Sequence, residues 1–204
     1  LRIGEKADFT KYDIFFIGGG QDFEQEVLLG DLRDGKDKSL IAAVEDGRTF
    51  LTICGGYQMM GHYYETHDGV KCEFLGAVDF CTVGADVRMI DNYCFKLGAE
   101  SGGSTVVGFE NHSGKTYLGA GVNPLGRVIK GNGNNGEDGT EGVRYKNVFG
   151  SYSHGPILPK NPQLCDVILE SALVRKYGKA ELEPLTDSFE VQAHDAVYKM
   201  ITGA

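Results

Sequence analysis

Cys54, His154 and a run of three glycines are the residues whose types and placement point to chemistry. Cys54 ends the apolar, β-type run Leu51-Thr52-Ile53 and is followed by Gly55, Gly56, Tyr57 and Gln58. A cysteine at such a strand-to-helix turn sees the first free N–H groups of the next helix, and those groups with the helix dipole favour the thiolate. The thiolate is the form that attacks carbonyl carbon. An attacking thiol needs a base within hydrogen-bond reach to take its proton and pass it to the leaving group. His154, in Tyr152-Ser153-His154-Gly155-Pro156, is a base of the right type. Acyl transfer also needs backbone donors aimed at the developing oxyanion. Gly55 offers the N–H directly after the nucleophile, and the Gly18-Gly19-Gly20 loop, with Gly20 as its donor, allows close backbone approach.

Ordinary readings compete at each position. A lone cysteine in an apolar run is usually buried filling, a triple glycine after a strand is usually a turn, and a lone histidine at a strand end is usually structural. The glycines match neither G-x-x-x-x-G-K-S/T nor G-x-G-x-x-G, which argues against nucleotide binding. Joint placement favours the functional reading, because open α/β sheets build active sites at the carboxyl ends of their strands.

The elements that must position these residues follow from periodicity. Tyr12 to Ile17 is a β-branched and aromatic run that ends at the glycines. Gln21 to Leu32 and Lys36 to Asp46 have helical spacing, and Leu40, Ile41 and Val44 give the second an apolar face. Thr49 to Ile53 is the next strand, and a helix is predicted from Gly56 to Tyr64. The first third therefore predicts a parallel sheet with covering helices. Further strands are predicted over 74–82, 93–97, 104–110 and 122–129, with antiparallel or mixed pairing. Gly131 to Gly142 reads as a surface loop and Val143 to Tyr152 as one more strand. Helices are predicted from Asn161-Pro162 to about Tyr177, with Leu164, Val167, Ile168, Leu169 and Ala172 inward, and from Phe189 to Ile201. Val191, Val197, Tyr198 and Ile201 are the candidate apolar face of the last helix. A single domain of 204 residues is expected, with no repeat and no linker.

Composition bounds the function. The net charge of −9 argues against a nucleic-acid or anionic-membrane surface. No apolar run is long enough to span a bilayer. Five cysteines without a C-x-x-C fit a reducing cytoplasm better than a disulfide framework. Leu1 is not an initiator Met, so a fragment or processed chain is expected. His62, His67 and His194 are expected to be exposed, solvated or capping. Glu110 and His112, in a polar cluster at a strand end, are candidate pocket-lining residues. No metal is expected, since His67, Cys72 and Cys81 lack ligand spacing and the 131–142 loop lacks the order of a calcium loop.

With those residues in hand, the chain resembles the class I glutamine amidotransferases of the cobyric-acid-synthase type. Within that branch it is most similar to the GatD-type glutaminase subunits of lipid II isoglutaminyl synthases. The stretches that carry the likeness are 12–20, Leu-Thr-Ile-Cys-Gly-Gly-Tyr-Gln (51–58), Val-Gly-Phe-Glu-Asn-His-Ser-Gly-Lys-Thr-Tyr (107–117), 131–135 and Tyr-Ser-His-Gly-Pro-Ile-Leu-Pro-Lys-Asn-Pro (152–162). The resemblance implies an α/β, flavodoxin-like fold with a mixed sheet flanked by helices, and a strand and helix of the family that this chain lacks before Tyr12. It implies that Cys54 attacks the side-chain amide of glutamine, with His154 as acid and base. It also implies substrate contacts by Arg88 and Gln58, an Arg fork suiting an α-carboxylate. No cofactor is expected in this chain. ATP and Mg are expected on a partner, a MurT-like subunit of the Mur-ligase family that amidates the D-glutamate α-carboxyl of the lipid II stem peptide in the cytoplasm. Most class I members carry a Glu two residues after the His, where this chain has Pro156; the cobyric-type branch also lacks it, so the resemblance implies a Cys–His dyad whose orienting carboxylate is missing or comes from Glu110 or from the partner, the partner being the favoured source. Other ammonia acceptors of the cobyrinate kind, a cysteine hydrolase of related fold and an inactive binding module remain the competing readings.

Overall fold

A computed structural model describes residues 1–20 and 22–204. Strands β1 (Ile14–Ile17) and β2 (Thr49–Ile53) pair in parallel, and helices α1 (Asp22–Arg33) and α2 (Asp37–Glu45) lie between them in the chain. A one-turn helix, α3 (Gly55–Gln58), follows β2. β3 (Tyr63–Glu65), β4 (Lys71–Glu73), the long β5 (Phe80–Leu97), β6 (Thr105–Leu118), β7 (Gly126–Lys130), β8 (Thr140–Glu141), β9 (Val143–Tyr145) and β10 (Val148–Ser151) come next. The chain ends in α4 (Ile157–Lys160), α5 (Pro162–Tyr177) and α6 (Ser188–Thr202). No described helix is long and apolar enough to cross a membrane.

The strands form a four-stranded sheet in the order β1-β2-β10-β9 and a six-stranded sheet built around β5. The expected mixture of parallel and antiparallel pairing is present, divided between two sheets. β2 is parallel to both β1 and β10 and is buried along its whole length. Its side chains alternate: Phe50 packs with Leu29, Leu32, Leu40 and Val44 on one side, while Leu51 and Ile53 pack with Phe149, Leu164 and Ile168 on the other. A strand covered on both faces is what an unbroken apolar run encodes.

The structure departs from the periodicity in several places, and of the strand expected over 74–82 only 80–82 is strand, at the start of β5. The helix expected over 56–64 stops at Gln58, because the backbone of 59–62 is claimed by tertiary partners: Leu75 and Val78 donate to the carbonyls of Met59 and Met60, and His62 donates to that of Phe80. The strand expected over 143–152 is a hairpin, turned at Lys146, whose φ is 48°. Residues 131–142 are no mere surface loop. Asn134 and Asn135 are fully buried, and Asn134 spans Thr140 and Gly142 by side-chain hydrogen bonds of 2.9–3.0 Å. Leu169 of α5 and Val191 of α6 are exposed rather than inward. The start of α1 was expected at Gln21, which lies outside the described residues.

Gly56 shows how closely β1 approaches the turn after Cys54. A Cβ on Gly56 would lie 2.5 Å from the Ile17 carbonyl oxygen and 2.6 Å from that of Gly18. Both atoms are backbone, so the clash is not relieved by a rotamer change. Gly56→Ala is expected to lower stability by about 1–3 kcal/mol, read as a reduced urea midpoint. Gly30→Ala on α1, where nothing lies within 4 Å of the added methyl, is the control and should leave the midpoint equal or higher. Equal midpoints for Gly56→Ala and the parent would contradict this packing.

Candidate functional site

Cys54 occupies the turn between β2 and α3 with φ 52° and ψ −112°, a conformation that non-glycine residues rarely adopt. Such strain persists only where the surroundings over-determine it. Here the Cys54 N–H donates to the Ser151 carbonyl at 2.9 Å and its own carbonyl accepts from Gln58 N at 2.9 Å. The thiol is thereby lifted off the sheet, with the Gly55 N–H directed at its sulfur. Contrary to the thiolate expected from the sequence, burial pushes the Cys54 thiol up, and the Gly55 N–H and the Arg88 charge only partly oppose this. The physical reason is that α3 is a single turn with little dipole, while the site is largely desolvated.

His154 stands beside it. A methyl placed on Gly19 would lie 3.3 Å from Cys54 Cβ and 3.5 Å from His154 Cε1, so the two side chains share the space over the glycine loop. The His154 backbone is pinned across to β6, donating to Phe109 O at 2.8 Å. The segment before it is strung on Glu141, a fully buried residue that sequence reasoning passed over. Glu141 Oε1 accepts from Ser151 Oγ at 2.7 Å and from Tyr152 N at 3.0 Å, and Ser153 N donates to Ser151 Oγ at 2.9 Å. Burial drives the Glu141 carboxyl above its ordinary range. Burial, then the charge of His112, lowers the basicity of His154 and keeps it neutral further into acid. Among the described residues no carboxylate lies within ion-pair distance of His154, and its Nε2 is buried without a hydrogen-bond partner.

A cavity of about 400 Å³ opens from Cys54 and is lined by Gly20, Phe23, Gln25, Gln58, Arg88 and His112 among others. His154 is not part of that wall. Arg88 reaches the cavity because the β5–β6 ladder breaks. Gly84 pairs with Gly114 and Met89 with His112, so residues 85–88 stand opposite Ser113 alone. A bulge of this kind re-aims a side chain. Arg88 Nε donates to Asn111 Oδ1 at 2.6 Å, which fixes the guanidinium at the rim. Gln58 is buried in the floor, donating to the Tyr152 hydroxyl at 3.1 Å and accepting from Gln25 Nε2 at 3.3 Å. Gln25 Nε2 also donates to the Gly20 carbonyl at 3.3 Å and so ties the glycine loop to the floor.

The structure thus brings together Cys54, His154, Gly20, Gly55, Gln58, Arg88 and His112. It separates Glu110 from them. Glu110 is fully buried and is not part of that cavity's wall; its carboxylate accepts from Asn132 N, Asn132 Nδ2 and Gly133 N at 2.8–3.0 Å. Burial alone would raise its carboxyl, and these donors with the nearby His112 ring hold it below the ordinary range instead. Its role is to anchor the 131–133 loop. His194, expected to be solvated or capping, is buried. It contacts Lys160 O, Asn161 Oδ1 and Thr105 Oγ1 at 2.9–3.1 Å and joins α6 to α4 and β6. Gln25, Asn111, Tyr152 and Glu141 were missed as site-forming residues. None stands in a local pattern that names it, since each acts across the fold.

The sequence profile of the CobB/CobQ-like glutamine amidotransferase domain matches residues 2–162. The chain belongs to this family. It is 46% identical over 189 residues to the lipid II isoglutaminyl synthase (glutamine-hydrolyzing) subunit GatD of Staphylococcus aureus, covering 93% of this chain and 75% of the relative. It is 44% identical over 180 residues to the GatD subunit of Streptococcus pneumoniae, covering 88% and 68%. A crystal structure of a glutamine amidotransferase superposes with a TM-score of 0.55 at 19% identity, over 78% of this chain and 79% of that one, which shows a shared fold.

Because burial raises the Cys54 thiol, its alkylation by iodoacetamide, followed by peptide mass spectrometry, is expected to keep accelerating past pH 9, the ordinary thiol value. Arg88→Ala removes a nearby cation and should shift the curve to still higher pH. A rate that levels off below pH 7 would contradict the raised value.

Proposed function

We propose that the chain is the glutamine-hydrolysing subunit of a lipid II isoglutaminyl synthase, acting as one glutaminase domain. The observation that carries this is the strained Cys54, set beside His154 over Gly19 and opening into a polar cavity with Arg88 fixed at its rim. The likeness to two GatD subunits at 44–46% identity supports the same reading.

In this mechanism the α-carboxylate of glutamine pairs with the Arg88 guanidinium and the side-chain amide reaches Cys54. With the thiol held protonated by burial, His154 takes the proton as sulfur attacks the amide carbon. The tetrahedral oxyanion is stabilised by the Gly55 N–H and by the Gly20 backbone. His154 returns the proton to the amide nitrogen, the C–N bond breaks, and ammonia leaves a thioester on Cys54. Water, deprotonated by His154, attacks the thioester carbonyl. The proton passes back to the sulfur and glutamate is released. A low basicity of His154 suits this cycle, since the ring must be neutral when sulfur attacks and again when water attacks, and a weakly held proton is readily returned to the leaving group.

Ammonia then serves a MurT-like ligase subunit. With ATP and Mg, that subunit amidates the D-glutamate α-carboxyl of the lipid II stem peptide at the cytoplasmic side of the membrane. The orienting carboxylate for His154 comes from this partner. Three features support that: Pro156 where most class I members carry Glu, the commitment of Glu110 and Glu141 to loop backbone, and the unpartnered His154 Nε2.

Two measurements test the reading. Cys54→Ala and His154→Ala should lower glutamate release from glutamine by about 10³-fold or more, since members of such a unit each remove most of the catalysis. Unchanged release in Cys54→Ala would overturn the mechanism. Glutaminase turnover should rise when the ligase subunit is added, with the His154 dependence retained. Equal rates with and without the partner would exclude a partner-supplied carboxylate.

A further inference from the structure

Ser151 is a joint shared by Cys54 and His154. Its carbonyl oxygen accepts the Cys54 N–H at 2.9 Å, and its hydroxyl accepts the N–H of Ser153, the residue before His154, at 2.9 Å. One carboxyl group holds this joint. Glu141 Oε1 accepts from Ser151 Oγ at 2.7 Å and from Tyr152 N at 3.0 Å. Glu141, Ser151, Tyr152 and Ser153 have no exposed surface. We propose that Glu141 and Ser151 are positioning residues for glutamine hydrolysis, a single uncharged hook that seats Cys54 and His154 together. The inference rests on the glutaminase reading and adds what aligns the two groups that this reading uses.

A hook needs a rigid mount, and the segment before β9 supplies it. Glu141 ends β8, where it pairs with Gly126 of β7. Asn134 clamps the residues on both sides of it. Asn134 Nδ2 donates to Thr140 Oγ1 at 3.0 Å and to the Gly142 carbonyl at 2.9 Å, and Asn134 Oδ1 accepts from Gly142 N at 2.9 Å. Gly142, at φ 61°, is pressed against β10, where a Cβ would run into the Gly150 carbonyl oxygen. From the other side β6 closes on the held segment. A Cβ on Gly108 would run into Ser153 Oγ, and His154 N donates to Phe109 O at 2.8 Å. The backbone of 151–154 is thus gripped between Glu141 and β6, and loss of the carboxyl frees one side of the grip.

The surroundings of the carboxyl favour its neutral form. Glu110, the other buried carboxyl, receives three N–H donors spread over both of its oxygens. Glu141 receives one N–H and one hydroxyl, both on Oε1, and its Oε2 is buried without a hydrogen-bond partner. The titratable groups that face it are Tyr93 of β5, Tyr57 of α3 and His112 of β6. The Tyr93 hydroxyl can pair with either form of a carboxyl, so the counter-charge decides. Among the described residues Glu141 joins no ion pair, and His112 lies 3.8 Å from the Glu110 carboxylate instead. A buried charge without a counter-charge is costly, and such a group keeps its proton instead. The hook requires only acceptor lone pairs on Oε1, which a neutral carboxyl offers. A carboxamide offers the same, with its NH₂ beside the Tyr93 hydroxyl, which is able to accept.

The test uses the chain with its ligase subunit and the variants Glu141→Met, Ser151→Ala and Glu141→Gln. Met fills the volume of the carboxyl without an acceptor. Ser151→Ala removes the link to Ser153 N and keeps the carbonyl that Cys54 uses. The readouts are kcat and KM for glutamine, and the rate of Cys54 alkylation by iodoacetamide at fixed pH. Glu141→Met and Ser151→Ala are expected to lower kcat about tenfold or more with KM within about threefold, since reacting groups misplaced by about 1 Å lose up to about 100-fold. Glu141→Gln keeps the acceptor and should keep kcat within about threefold of the parent. Glu141→Met should alkylate at least about threefold faster than the parent, because the turn at Cys54 is loosened. A role in stability alone would lower the urea midpoint and leave the kcat of the folded protein unchanged, so it is told apart. Parent kcat in Ser151→Ala and in folded Glu141→Met would overturn the proposal. So would a Glu141→Gln variant as slow as Glu141→Met, since charge rather than an acceptor would then be what Glu141 provides. If Glu141→Met does not fold, Ser151→Ala and Glu141→Gln decide in the same way. A parent protein that does not hydrolyse glutamine would instead remove the glutaminase reading, and equal alkylation rates in Glu141→Met and the parent would still overturn the hook.

Discussion

The backbone at Cys54 is the constraint on which the rest depends. A residue with a side chain is held at φ 52°, and three neighbouring segments close around it to keep it there. β10 supplies the carbonyl that receives its N–H, and α3 supplies the donor for its carbonyl. β1 comes so near that only glycine fits at Gly56. Because β1, β2 and β10 are parallel neighbours, their carboxyl ends open at one edge of the sheet. The glycine loop, Cys54 and His154 arrive together for that reason.

Two fully buried carboxylates lie close to the site, and neither touches the reacting groups. Glu110 holds the backbone of 132–133, and Glu141 holds that of 151–153. Their environments drive them apart. Desolvation dominates at Glu141 and raises its carboxyl, whereas convergent donors overcome desolvation at Glu110 and lower it. Both serve as internal anchors for irregular backbone that would otherwise be buried with unmet hydrogen bonds. The site is thus rich in acids nearby and has none at hand for His154.

The two sheets divide the labour. The parallel sheet positions Cys54, His154 and the glycine loop. The sheet built on β5 positions Arg88, Asn111 and His112, and the cavity lies where the two meet. Tyr152 links them, since it follows β10 in the chain yet stacks on His112 of β6 and bonds Thr116.

Much of this was legible from residue order alone. The unbroken run Thr49–Ile53 told of a strand covered on both faces, and the helices Pro162–Tyr177 and Ser188–Thr202 ended near where their periodicity said. Cys54 and His154 were singled out from local pattern and Arg88 and Gln58 from the family resemblance, and the fold brings all four to one place. What the sequence could not decide were the features set by partners far along the chain. The early end of α3, the hairpin at Lys146, the buried asparagines of 134–135 and the inward His194 each depend on hydrogen bonds between segments distant in sequence. The ionisation of Cys54 is of the same kind: the local turn favours thiolate, and burial by the assembled fold reverses it. Local pattern reports what a residue is able to do, and only the tertiary structure supplies the dielectric, the donors and the neighbours that decide what it does.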